Sequence, residues 1–185
     1  MKKIIDQAKK IFWKMVDDYS QDPYWLKNHI LELEKRVEKV CKMYSELDKN
    51  ILLLSVYLHD IWHYPINPDE DHAVTSTRIA EEFLTSKNLD SDFISKVSHC
   101  VRSHRNKDVL PQTLEAKMMA CIDSASHFTD EKMYSSMLYK WNIDLFISKM
   151  ERDWRDVCVF VEIQKEVEWL YYAWKKLLEE YTKKI

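Results

Sequence analysis

Glycine is absent from all 185 residues of this chain, against an ordinary usage of about 7%. Glycine takes left-handed backbone conformations without penalty and lets a backbone approach a ligand closely. Without it, Asn-Gly hairpin turns and glycine-lined phosphate cradles cannot be built, so hairpin-rich β folds, P-loops and Rossmann fingerprints are excluded. Helices escape the constraint if another residue closes them, and Asn is the best substitute because it tolerates the left-handed region. Asn50, Asn88, Asn106 and Asn142 are therefore expected at helix ends, while Pro23, Pro65, Pro68 and Pro111 mark helix starts and loops. These marks predict helices near 3–19, 23–46, 50–62, 69–87, 90–105, 111–127, 130–140 and 142–181, with a break allowed near 153–156. The expected architecture is all-α, a single-domain compact helical bundle of about seven or eight helices.

Apolar residues at 46%, with seven Trp and ten Tyr, give such a bundle ample surface to bury, and 32% charged residues supply its exterior. The C-terminal aromatics Trp169, Tyr172 and Trp174, with Leu170, Leu177 and Leu178, are expected to pack into that core. A formal charge of −3 and an isoelectric point near 6.2 carry no footprint for nucleic-acid or anionic-membrane binding. Cys41, Cys100, Cys121 and Cys158 form no CxxC pair and fall within apolar helical patterns, as expected of reduced thiols in a cytoplasmic protein. Met1 to Asp6 lacks a signal-peptide apolar region, and the run from Ile51 to Leu58 is far too short for a membrane span. The expectation is a soluble chain, monomeric or homodimeric.

That run, Ile51-Leu52-Leu53-Leu54-Ser55-Val56-Tyr57-Leu58, is apolar on every side and so should be central, yet it leads directly into His59-Asp60. An ionisable pair at the end of a buried helix must be neutralised, paired or bound to metal. Helical periodicity places further candidates on inner faces. His29 shares its side with Leu33, Val37 and Val40, and His72 with Ser76, Ala80 and Phe83. His104 shares a face with Val97, Cys100 and Val101, whereas His99 falls about 200° from Val97 and points away. Asp123 lies on one of two apolar stripes of its helix, beside Met119 and Ala120. One inward histidine is ordinary in a core. Six inward His and Asp groups on five helices are a constellation, and a His/Asp set without Cys suits Mn, Fe, Co, Ni, Zn or Mg, one or two ions.

The order His29, His59-Asp60, Asp123 resembles the HD-domain superfamily of metal-dependent phosphohydrolases, which are all-α. Leu58-His59-Asp60-Ile61 is similar to the family's "LHDI" stretch, and His72-Ala73-Val74-Thr75-Ser76 with Ala80 to its "H-x-x-x-S-x-x-x-A" segment. Val97 to His104 resembles the helix that brings a further histidine, and Ala116 to Asp123 the segment that ends in the last metal Asp, although many relatives are acidic where Cys121 stands. The resemblance covers a motif core of about 23–127 within one HD-like domain over 1–185, with helices 130–181 packing on it. It implies that His29, His59, Asp60 and Asp123 hold one ion and that Asp60 bridges to a second held by His72 and His104. Many relatives read HDIGK; here Trp62 replaces Gly and His63 replaces Lys. Asp60 and His63 are then the catalytic candidates, His63 as a proton donor or substrate contact, or else stacked on Trp62.

The implied activity is hydrolysis of a nucleotide or other small phosphate ester by a metal-activated water. Arg102 and Arg105 flank His104, and Lys149, Arg152 and Arg155 follow at helical spacing; solvated helix surface is their ordinary role, and Lys149 and Arg152 are the substrate-binding candidates. Two other functions fit the same residues: a mixed-valence di-iron oxygenase of HD type, and a non-catalytic metal-binding or sensor module. Paired Glu-x-x-His motifs of ferritin-like sites are absent from the sequence.

Overall fold

The computed structural model describes residues 1–19, 22, 25–64, 69–130, 132–140 and 143–183. Pro23, Pro65, Pro68 and Asn142 lie outside them. Among the described residues there are nine α-helices and no strand: α1 (Lys2–Asp18), α2 (Leu26–Met43), α3 (Lys49–Leu58), α4 (His72–Thr85), α5 (Ser91–Ser103), α6 (Leu114–Thr129), α7 (Met133–Lys140), α8 (Ile143–Val157) and α9 (Val161–Thr182). The all-α expectation holds.

Helix boundaries show how the chain manages without glycine. Asn88 and Asn106 take φ of 54° and 43°, the left-handed role expected of Asn. Asn50 does not: it sits in the first turn of α3 and donates its backbone N–H to Asp48 Oδ1 at 2.8 Å, because Asp48 caps that helix. Trp25, with φ 57°, is the third left-handed residue among those described and precedes α2. Pro111 lies in the loop before α6, whose first turn is capped instead by Thr113 Oγ1 accepting from Ala116 N–H at 3.1 Å. The C-terminal helix breaks at 158–160, between α8 and α9, rather than at 153–156. Asp153 and Asp156 stay helical because both are buried and bonded within α6–α8, Asp156 accepting from Ser124 Oγ at 3.0 Å.

The chain divides into two compact units, Met1–Ala120 and Cys121–Ile185, with the boundary inside α6. In the first unit α3 is the central element. Ile51, Leu52, Leu54, Ser55, Val56, Tyr57 and Leu58 are all buried, and α1, α2, α4 and α5 pack around it. Ser55, the one polar residue among these, donates to Ile51 O at 2.8 Å and so costs little.

In the second unit Tyr134 meets Phe128, Phe146 and Trp174 edge to face, and Trp154 stacks on Tyr171 at 4.3 Å and 4°. The buried stripe of α9 is Ile163, Val167, Tyr171 and Leu178. Trp174 and Leu178 pack as expected, but Trp169, Tyr172 and Leu177 are 67%, 55% and 44% exposed. Those three lie off the stripe that the i, i+4 spacing from Val167 defines.

Candidate metal centre

Five histidines and an aspartate meet where α3 ends. His59 follows the last residue of α3, and its Nδ1 lies 2.9 Å from Val56 O one turn back, so Nδ1–H donates and the Nε2 lone pair faces outward. His104 follows α5 in the same manner, with Nδ1 2.7 Å from Val101 O. A backbone carbonyl fixing one ring nitrogen so that the other is free to bind is the usual arrangement behind a metal-ligating histidine. His29, buried on α2, brings its Nε2 to 3.3 Å from His59 Nε2.

Asp60 occupies the middle. Its Oδ2 is 3.4 Å from His59 Nε2, while its Oδ1 faces His72 Nε2 at 3.6 Å, His63 Nδ1 at 3.7 Å and His104 Nε2 at 3.9 Å. These distances are long for hydrogen bonds, which centre on about 2.9 Å. Asp60 Oδ1 is buried and has no hydrogen-bond partner among the described residues. An anionic oxygen in that state costs several kcal/mol unless a cation sits against it. Burial pushes the Asp60 carboxyl up, but His59, His63 and His72 outweigh it and hold the group well below the usual carboxylate range. Burial also pushes His72 down, more than Asp60 raises it, which favours the neutral ring a metal needs. Ligand atoms of His59, Asp60 and His104, and of Asp60, His63 and His72, each lie within 4.8 Å of one another and could hold an ion.

The HD domain family model matches residues 26–126, more than half of the chain. The chain belongs to the HD domain family. Metal-dependent hydrolysis is the chemistry of most of that family, and the donor set fits it: neutral imidazoles and one carboxylate around an unsatisfied oxygen suit a divalent ion. Searches of curated proteins and of solved structures return no match.

The HD domain aligns His72 and His104 through one ion pair. His72 is the first residue of α4, capped by Asp71, which accepts from Ala73 N–H at 2.9 Å. Arg105 Nη2, next to His104, donates to both Asp71 oxygens at 2.7 and 2.6 Å. The start of α4 is thereby tied to the end of α5. Arg105 and Arg102, which is bound to Asp108, are both committed to carboxylates.

His99 is half-buried and stands apart, its Nε2 accepting from Gln112 N–H at 3.0 Å. Asp123 is buried on α6, one turn before His127, whose Nε2 is 3.9 Å away. His127 escaped the sequence reading, although its i, i+4 spacing from Asp123 on an apolar helix was the available signal. It belongs to a buried polar cluster of the second unit. His127 Nδ1 is 3.0 Å from Asp153 Oδ2, Tyr134 donates to the same oxygen at 2.9 Å, and Lys149 Nζ reaches it at 2.6 Å. Lys149, expected as a substrate cation, is a partner of Asp153 and His127. Arg152 is half-buried on α8, and its Nε has no hydrogen-bond partner among the described residues.

Proposed function

We propose that the chain is a metal-dependent phosphohydrolase acting on a nucleotide or similarly small phosphate ester, with ions held by His29, His59, Asp60, His72, His104 and Asp123. The observation that carries this reading is Asp60 Oδ1, buried and unsatisfied, with three imidazole nitrogens turned toward it. A divalent ion bound there acidifies a water and neutralises phosphoryl oxygens. The chain's own part is to hold the donors in place. Val56 O and Val101 O fix the tautomers of His59 and His104, and Arg105–Asp71 fixes where α4 starts.

With Arg102 and Arg105 bound to acids, phosphate charge falls on the ions and on the imidazoles. The first unit offers one candidate place for the organic part of the substrate. A cleft of about 470 Å³ is lined by Ile61 and Trp62, which separate Asp60 from His63 in the chain, and by Tyr19, Tyr64, Lys14 and Asp18. Its volume is in the range of small-ligand sites. Tyr19 and Tyr64 stack there at 4.6 Å and 10°, an aromatic wall of the kind a flat base uses. The four thiols, none in a disulfide, fit a reducing cytoplasm.

The deciding experiment is elemental analysis of purified protein joined to a phosphatase and phosphodiesterase screen with Mn or Co. Phosphate release that Asp60→Asn abolishes is the expected result. Oxygen uptake by iron-loaded protein without phosphate release would point to the oxygenase instead, metal binding without any turnover to the sensor module. Protein that carries no transition metal under any preparation sinks all three.

A further inference from the structure

We propose that His63 is itself a metal ligand, completing with Asp60, His72 and His104 a second ion position made of three imidazoles and one carboxylate. The inference rests on the function proposed above and goes further: it gives the residue that replaces the family's lysine a new role, and it makes the second ion a borderline first-row metal rather than magnesium.

The geometry begins with the turn after α3. Ile61 N–H bonds to Leu58 O at 3.4 Å and His63 N–H to Asp60 O at 3.0 Å, so the chain folds back and His63 lies beside Asp60. Its Nδ1 stands 3.7 Å from Asp60 Oδ1, within 0.2 Å of the distances of His72 and His104 from the same atom, 3.6 and 3.9 Å. The three rings thus converge on one oxygen, His63 and His72 with centroids 4.9 Å apart and His72 and His104 5.7 Å apart. That oxygen is the buried one with no hydrogen-bond partner among the described residues.

Trp62 explains why the ring is directed there. Its backbone N–H donates to Ser76 Oγ of α4 at 3.1 Å, and its indole N–H to Glu70 at 2.9 Å. The turn is pinned from outside to the segment that carries His72. The two departures from the family pattern therefore act together, the indole as an outer anchor and the imidazole as an inner donor.

The chemical consequence follows from donor type. A lysine ammonium has no lone pair to give and repels a cation, whereas a neutral imidazole is a good ligand for Mn, Fe, Co, Ni or Zn. Three nitrogens and one oxygen do not suit magnesium, which takes oxygen donors. The side chains of His63 and His72 remain 19% and 29% exposed, against 3% for His104, so the position opens to solvent on their side.

The test is titration of the chelator-stripped full chain with Co(II), read by calorimetry and by visible absorption of the bound ion. Wild type is expected to take two cobalt ions, with millimolar Mg(II) displacing neither. His63→Ala and His63→Lys should keep one ion and lose at least about tenfold in affinity for the other, with a changed cobalt spectrum. His63→Gln, similar in volume and a poor ligand, gives the same readout should the others fold badly. Second-site affinity and spectrum unchanged in all three variants, while His72→Ala loses that ion, would overturn the proposal, as would a wild type that binds a single ion. Metal binding as described with no phosphate release from any substrate would leave His63 a ligand and remove the phosphohydrolase. The two readings fail separately.

Discussion

At the scale of single residues, two buried acids, one in each unit, are satisfied in opposite ways. Asp153 is neutralised from within: Lys149, His127 and Tyr134 all bond to it, and the first two hold its carboxyl below the usual range against the upward push of burial. A group whose folded pKa is depressed contributes stability above its unfolded value of about 3.9, and that stability is lost as pH falls through the folded value. Wild type should therefore lose melting temperature steeply below about pH 4. Asp153→Asn should show a shallower acid slope from a lower plateau, the plateau falling by roughly 3–5 kcal/mol as Lys149 loses its buried partner; thermal melts between pH 3 and 7 measure both. Asp60 lacks such a partner at Oδ1. Metal content is accordingly expected to be insensitive to His99→Ala, whose ring faces Gln112, and strongly reduced by His104→Ala, as elemental analysis after dialysis will show.

Among elements, the N-terminus of α4 matters most. Asp71 caps the helix and receives Arg105, so one side chain sets both the helix start and its alignment with α5. Asp71→Ala should cost about 1 kcal/mol in denaturant unfolding for the lost cap. It should also weaken the ion near His72 without touching any ligand, and Asp71→Asn, which can still cap, should recover the stability more fully than the metal affinity. The element pattern itself was readable. Pro and Asn punctuation placed α1 to α7 one by one and covered α8 and α9 with a single segment, because Pro cannot continue a helix and Asn tolerates the left-handed turn that ends one. The division between α8 and α9 was misplaced, since buried aspartates look like loop residues until Lys149, Ser124 and Tyr134 are seen against them.

On the scale of the whole molecule, folding and metal binding are coupled, because the donors come from separated parts of the sequence and converge only when folded. An ion present at about a hundred times its dissociation constant adds roughly 2.7 kcal/mol to stability. For a chain of this length that corresponds to a melting temperature higher by about 5–10 °C, lost on chelation and restored by Mn or Co. Asp60→Asn should melt at the same temperature with and without chelator, which separates specific binding from a general effect of salt.

What the sequence determined by itself was a helical chain with an inward set of His and Asp. The absence of glycine left little else to build, and helical periodicity states which side of a helix a residue occupies. It could not state distances between helices. Whether His63 faces Asp60 or Trp62, whether Arg105 meets a phosphate or Asp71, and whether Lys149 reaches solvent or Asp153 are decided by packing and by the turn after α3. Those contacts join residues far apart in the chain or pinned by a neighbouring helix, and no local pattern encodes them.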